Sequence, residues 1–351
     1  MLRYASAFLL LVLFVPRGCD SGPKPVQLKY IAAGKSPELL AVYEGWFGHP
    51  QHISIDYSSH DPAVIHRQLQ QAQKMGISAF VVDWYGDREP FIDKTYALMQ
   101  KAAGEQHFHV AMMYDESHQE NGATDETLAD LKHFHDTYLS PAAPGHDAYL
   151  TYKGRPVIFI FPTSGHTNWD LVKKVTDKWN PAPFFIDENL PGQYANAIDG
   201  YYAWVNPGPK GWAPNGSHWG KGYLDSFYQT MVSKYPDKII VGGAWAQFND
   251  AKAHWGLNRH ISGRCGKTLQ DTLNLWHEYV PANQPIPFLL IATWNDYEEG
   301  TAIENGIPSC GNTVLQLSNG KLISSPATAE QQKRPDNSQA ASLEQKSHAT
   351  R

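Results

Sequence analysis

The stretch PFLLIATWNDYEEGTAIE, residues 287–304, decides how this chain is read. Its apolar run Phe288–Ala292 is short, unbroken and bounded by turn residues, the pattern of a strand buried on both faces. The run opens directly onto Trp294, Asn295, Asp296 and Tyr297, and then onto Glu298 and Glu299 ahead of Gly300. Asp296 and Glu299 are close enough in sequence to face one cavity. Paired carboxylates beside aromatic rings are the usual equipment for splitting a glycosidic bond. The competing reading is an acidic first turn of a helix, where carboxylates are favoured by the helix dipole.

Working outward, similar runs recur with helix-like segments between them. They are LLAVYEGWF (39–47), GISAFVVDWYG (76–86), FHVAMMYDE (108–116), RPVIFIF (155–161), PFFIDEN (183–189), AIDGYYAWV (197–205) and KIIVGGAWAQF (238–248). Helices are expected near 61–74, 90–103, 125–139, 168–179, 222–235 and 267–280, the first opened by the N-cap and first-turn pair Asp61-Pro62. Alternating strands and helices give a parallel sheet, and eight strands give a closed barrel, so a single-domain (β/α)8 TIM barrel is predicted. A doubly wound open sheet is the alternative. The length of 351 residues exceeds the usual single domain but is within reach of one barrel.

In such a barrel the active site lies at the C-terminal ends of the strands. Those ends should then be polar or aromatic, and they are. They read Tyr43-Glu44-Gly45-Trp46, Asp83-Trp84-Tyr85, Tyr114-Asp115-Glu116, Asp187-Glu188-Asn189, Tyr201-Tyr202-Ala203-Trp204, Trp245 to Asp250, and Trp294-Asn295-Asp296. The strand starts carry little beyond Lys, Arg, Gly and Pro. Candidates for binding sugar hydroxyls are therefore Asp83, Asp115, Glu116 and Asp187, with Trp46, Trp84, Tyr202, Trp204 and Trp245 as stacking platforms; Tyr43, Trp294 and Asn295 join them as substrate contacts. Asn295 either orients Asp296 or satisfies the strand end. Glu298 is expected to point away from the site, because neighbouring residues diverge.

Composition narrows the chemistry. A formal net charge of -6 without long basic runs gives no footprint for a phosphate backbone, which excludes nucleic acid as a partner. Aromatic residues make up 12% of the chain, including 11 Trp and 18 Tyr, and flat rings with one polar edge suit sugar faces as well as cores. The chain has 16 His but no HExxH or CxxC pattern. His107 and His109 fall on the rim opposite the expected site, and His133 and His135 fall two apart on a helix, where side chains diverge. His60 either joins the pocket or serves helix entry. No glycine-rich phosphate loop follows the first strand, and no GxSxG elbow or Cys/His nucleophile pair is present. No metal and no cofactor are expected. Acid and base catalysis by carboxylates remains.

The N-terminus, with Arg3 followed by the apolar run Ala5–Val15, reads as a secretory signal over residues 1–19, too short to span a bilayer. A secreted, periplasmic or lipid-anchored location follows. Cys19 after Gly18 is placed for a lipid tether to the membrane, although Pro16 and Arg17 fit that cleavage pattern badly. In an exported protein Cys265 and Cys310, both in Gly-flanked loops, are expected to pair; the alternative is two unrelated buried thiols. The barrel is expected over 26–315. Residues 316–351, rich in Ser, Ala, Gln and Lys, are expected to be disordered.

TWNDYEEGTAIE resembles the signature of glycoside hydrolase families 71 and 99, related (β/α)8 enzymes comprising endo-α-1,3-glucanases and endo-α-mannosidases. Trp294 to Glu299 is similar to the WNDYxE pattern of the first. Asn295, Glu299, Gly300, Thr301, Ile303 and Glu304 are similar to the NExxEGTxIE pattern of the second, with Asp296 in place of Glu. VVDWYG (81–86), YKGRPVIF (152–159), DGYYAW (199–204) and FNDAKAHWGLNRHI (248–261) extend the resemblance to residues 38–305, the last on the glucanase side. The resemblance implies an enzyme acting on α-linked polysaccharide or oligosaccharide, with Glu299 as general acid and Asp296 as base. In an α-mannoside the base would drive the 2-hydroxyl, trans to the leaving group, onto C1 with overall retention. In an α-glucoside that hydroxyl is cis, so water must attack and inversion follows. The shorter Asp at 296 and the WNDY pattern favour the glucoside. A barrel that binds glycans without cleaving them is the alternative from another class.

Overall fold

The computed structural model describes residues 37–326, apart from 117–122, 163–164, 209–217, 283, 285 and 310–312. Eight parallel strands form the barrel: β1 Glu38–Tyr43, β2 Ile77–Trp84, β3 His109–Asp115, β4 Arg155–Phe161, β5 Phe184–Glu188, β6 Gly200–Tyr202, β7 Ile239–Trp245 and β8 Phe288–Ala292. Each pairs with its neighbours in chain order, and β8 closes on β1 through Glu38 opposite Phe288 to Ala41 opposite Ile291. The (β/α)8 barrel expected from the sequence is the fold.

Alternation along each strand divides its side chains between two cores, since successive residues point to opposite faces. Leu40, Val42, Ala79, Val81, Ala111, Met113, Val157, Phe159, Ile186, Val241 and Leu290 fill the interior. Leu39, Ala41, Tyr43, Phe80, Val82, Trp84, Val110, Met112, Tyr114, Ile158, Ile160, Phe185 and Tyr201 face the helices. Below the strand starts, Tyr152 lies edge-on to Phe184 at 5.1 Å and to Phe288 at 5.8 Å, closing the lower end.

The helices are α1 Pro62–Met75, α2 Pro90–Gln106, α3 Ala123–Tyr138, α4 Trp169–Thr176, α5 Lys221–Lys234 and α6 Lys267–Asn274. Asp61 caps α1 by accepting from Ala63 N, with Pro62 in the first turn, as its sequence predicts. The helix expected over 267–280 is α to Asn274 and 3₁₀ from Leu275 to Glu278. β5 and β6 are joined by a turn-rich segment without a helix.

The expected disordered tail is corrected in part. Residues Thr313–Ser318 and Lys321–Pro326 form an antiparallel hairpin, with Ile307–Pro308 pairing on its outer side. Asn319 and Gly320 sit at its tip with φ of 48° and 70°, the left-handed pair that an Asn-Gly hairpin turn requires. The tip docks on the end of α1, where Asn319 N and Gly320 N donate to Lys74 O and Met75 O at 3.0 and 2.8 Å. A Cβ on Gly76 would stand 2.5 Å from Gly320 N, so only glycine admits this contact. Composition pointed to disorder, but the hairpin buries Val314, Leu317 and Leu322. Residues 327–351, the expected signal segment 1–19 with Cys19, and Cys310 lie outside the described residues.

Candidate active site

The segment after β8 is a compact turn built around Asp296. Its Oδ1 accepts from Glu298 N and Glu299 N, both at 2.8 Å, and its carbonyl accepts from Thr301 N and Ala302 N at 3.1 Å. Thr293 Oγ1 accepts from Asp296 N at 2.8 Å and shares a hydrogen bond with Thr301 Oγ1 at 2.9 Å. Gly300, at φ 66°, lets the chain turn back. One carboxylate oxygen thus fixes the backbone that carries the other acid. Asp296 caps a single turn and does not open a helix.

Neighbouring loops close over this turn. Asn249 N donates to Glu299 O at 2.7 Å and Gln247 Nε2 to Gly300 O at 3.0 Å. Asp250, fully buried, accepts from Leu257 N and from Arg259 N and Nε, which shapes the loop that carries His254 and Trp255. Trp255 Nε1 donates to Glu299 Oε1 at 2.9 Å. On the opposite side Glu298 turns away from the cavity, as expected, and holds the loop after β1: its Oε2 lies 2.7 Å from His52 Nδ1 and its Oε1 accepts from Ile53 N. His52 stacks on Trp46 at 4.6 Å.

These elements surround a cavity of about 430 Å³ at the C-terminal mouth of the barrel. Its acids are Glu44, Asp83, Glu89, Asp115, Asp296 and Glu299; its rings include Trp46, Tyr85, Phe161, Trp204 and Trp255, and among the described residues no Lys or Arg lines it. A larger cavity, about 820 Å³, opens at the other end among Glu38, His109, His135 and His146, away from every strand-end acid.

Of the residues predicted from sequence, Trp46, Asp83, Asp115, Trp204, Asp296 and Glu299 meet in the mouth cavity. The others do not. Tyr43 faces α1 and donates to Gln68 Oε1 at 3.0 Å. Trp84 is buried under α2 and α3, donating to Asp93 and stacking on His133. Glu116 accepts from Trp169 Nε1 and Gly165 N, a structural tie. Asp187 accepts from Glu188 N and lies off the cavity. Tyr202 sits lower in the interior and donates to Ile160 O. Trp245 donates to Trp219 O beneath the start of α5, and Trp294 packs on Phe80 in the outer core. Asn295 pins a strand end: Oδ1 accepts from Glu44 N at 2.8 Å, and Nδ2 donates to Glu44 O at 2.9 Å and to Tyr57 Oη at 3.3 Å. His60 stacks on Phe91, which fits helix entry.

Tyr43, Trp84, Glu116 and Asp187 miss the cavity for one shared reason. A residue next in sequence to an inward one points outward, so Tyr43 and Trp84 lose the cavity to Glu44 and Asp83. Parity continued from the interior core of β1, β2, β3, β4 and β6 reaches Glu44, Asp83, Tyr85, Asp115, Phe161 and Trp204. Glu44, Tyr85 and Phe161 were missed although that signal was present. His49, Gln51, His52, Glu89, His254 and Trp255 come from loops that strand periodicity does not reach.

Burial is the largest influence on each key acid. It holds the Asp296 carboxyl well above the carboxylate range, with Glu299 adding to the effect. It raises Glu299 too, against the Trp255 hydrogen bond and the charge of Arg259, which favour ionisation. Glu44 and Asp83 are pushed well up by burial, Glu44 further by Asp83, Asp296, Glu299 and Asp115. Elevated acids of this kind suit proton transfer at working pH.

Off the cavity, burial lifts Asp187 and Glu188 to about 7 each. A folded-state pKa above its unfolded value means that the native state holds more protons between about pH 4 and 7, so stability declines as pH rises through that window. The Tm is expected to be higher at pH 5 than at pH 8. Asp187→Asn, which keeps an acceptor for Glu188 N, should narrow the gap by about 2–4 °C in thermal unfolding scans, the equivalent of about 1 kcal/mol.

With this geometry in place, comparison with known proteins adds the lineage. The family model described as glycosyl hydrolase family 71 matches residues 51–308. Among solved structures, a GH99 endo-α-mannosidase from Bacteroides thetaiotaomicron aligns with 18% identity and a TM-score of 0.60, covering 80% of this chain and 91% of the other. A second structure of such an enzyme from that organism gives 17% and 0.58, covering 81% and 93%. A glycoside hydrolase-like protein gives 14% and 0.59, covering 83% and 94%. No curated protein matches the sequence significantly.

Proposed function

The chain belongs to glycosyl hydrolase family 71 and is a glycoside hydrolase, and from that premise we propose that it cleaves α-linked glycans with Glu299 as general acid and Asp296 as base. The observation that carries this reading is that Asp296 and Glu299 line one acid-rich cavity walled by Trp46, Trp204 and Trp255 at the barrel mouth. Glu299 takes the acid role from the family pattern: burial raises it, and Trp255 Nε1 orients it through Oε1, which leaves Oε2 to present a proton to the departing oxygen. Asp296 commits Oδ1 to the turn and leaves Oδ2 for a proton from water or from a sugar hydroxyl. An α-glucan is the favoured substrate, on the strength of the family and of the shorter carboxylate at 296.

The test is hydrolysis of α-1,3-glucan and of α-mannan, with the first-formed anomer read by NMR. Faster release from glucan with inversion supports the reading. Retention on mannan would assign the base to the 2-hydroxyl, and binding of both polymers without cleavage would favour a glycan-binding barrel.

Export belongs to the same proposal, supported by the apolar run Ala5–Val15 after Arg3, with Cys19 placed for a lipid tether. So does a Cys265–Cys310 disulfide. Cys265 sits in the turn Arg264–Gly266 against Leu315, which a Cβ on Gly266 would meet at 1.9 Å, and residue 310 lies between the strands Ile307–Pro308 and Thr313–Ser318 of that same small sheet. Non-reducing peptide mapping of the secreted protein should find a Cys265–Cys310 linked pair, and its reduction should lower the Tm; two alkylatable thiols in the folded protein would refute the bond.

A further inference from the structure

β1 and β2 pair in parallel with Tyr43 opposite Val82, so the next residue on each strand, Glu44 and Asp83, stand side by side on the interior face. Both line the mouth cavity. Glu44 is 4% exposed and Asp83 7%, and in each one carboxyl oxygen, Glu44 Oε2 and Asp83 Oδ1, is buried without a hydrogen-bond donor. The other Asp83 oxygen accepts from Tyr85 Oη at 2.6 Å. The Glu44 backbone is locked on both sides by Asn295, so the pair cannot drift apart by strand movement.

We propose that Glu44 and Asp83 share one proton, forming a carboxyl–carboxylate pair at the floor of the sugar-binding cavity. Two buried acceptors facing each other with no donor are unfavourable, and one proton between them satisfies both. Charge requires the same. Among the described residues, the groups facing the pair are Asp115 from β3, Asp296 and Glu299 from the turn after β8, Glu89 before α2, and the imidazoles His49, His52 and His254, with no Lys or Arg. Two unit charges about 6 Å apart repel by roughly 3 kcal/mol at an effective dielectric of 20, so full ionisation of such a cluster is costly. A proton held by Glu44 and donated to Asp83 would favour the ionised form of Asp83, which makes Glu44 the proton's main holder. Glu44 and Asp83 are positioning residues. By holding the cavity one charge lower they leave Asp296 free to ionise as the base, and they offer a bound sugar hydroxyl a floor of fixed polarity.

The role in catalysis rests on the glycosidase reading, but the shared proton does not, and it is read on the unliganded protein. Infrared difference spectra at pH 7 should show the wild type holding one more protonated carboxyl than Glu44→Gln, and one more than Asp83→Asn. The double variant should also lack one and no more, because both carboxyls carry the same proton. Loss of two in the double variant, or loss of none in either single variant, would overturn the proposal. The two amide variants are near-isosteric and can be examined independently, so failure of one to fold leaves the other to decide. Loss of glycan cleavage with the shared proton intact would fault only the glycosidase reading.

Discussion

Glu299→Gln is expected to lower kcat on an α-linked polysaccharide by about 10²–10⁴-fold, the usual contribution of a general acid. An aryl α-glycoside whose leaving group departs without protonation should lose far less. That contrast is specific to the acid role, because a merely structural glutamate would affect both substrates alike. The pH profile of the wild type carries a second signature. Burial raises Glu299, so its proton persists above the ordinary carboxylate range, and kcat/KM should fall as pH rises through the elevated pKa. Removing the Trp255 hydrogen bond, which favours the ionised form, with Trp255→Phe should move that alkaline limb to higher pH. Asp296→Asn should be slow on both substrates, because the base is needed whatever the leaving group. Its Oδ1 would still accept from Glu298 N and Glu299 N, so the loss cannot be ascribed to collapse of the turn.

Asn295→Leu is expected to be the most damaging single change to the framework of the site. Asn295 is fully buried and joins the end of β8 to the end of β1 by accepting from Glu44 N and donating to Glu44 O. Leucine fits the volume but leaves both Glu44 backbone groups without that partner, while Tyr57 Oη keeps its bond to Glu304. Each unsatisfied buried group costs about 1–3 kcal/mol, so a loss of roughly 2–5 kcal/mol is expected. At about 2–4 °C per kcal/mol, differential scanning calorimetry should show a Tm lower by roughly 5–15 °C. Activity should fall with it, since Glu44 carries the cavity floor. Asn295→Asp should also fail, because it sets an acceptor against Glu44 O and buries a charge beside an already acidic cavity.

The barrel was legible because its strands are buried on both faces and therefore apolar throughout, and because each ends abruptly in polar residues. Asp296 and Glu299 were legible as a pair from the same boundary. Which of two adjacent strand-end residues faces the lumen was also encoded, in the parity of the interior core, and reading the ends as clusters placed Tyr43 and Trp84 where Glu44 and Tyr85 belong. The hairpin 313–326 was likewise signalled, by Asn319-Gly320 between alternating residues, beneath a composition that suggested disorder. The loop contributions were not readable. His52 reaches Trp46 because Glu298 ties its loop down, and Trp255 reaches Glu299 because Asp250 and Arg259 shape theirs, contacts that no local periodicity expresses.

The central claim is that one carboxylate pair at the mouth of this barrel performs hydrolysis. Reducing-end release from α-1,3-glucan by the wild type, Glu299→Gln and Asp296→Asn, each first shown to be folded by its Tm, tests it most directly. Robust release by the wild type with a loss of about 10²-fold or more in each variant is the predicted result; release that survives both substitutions would contradict it.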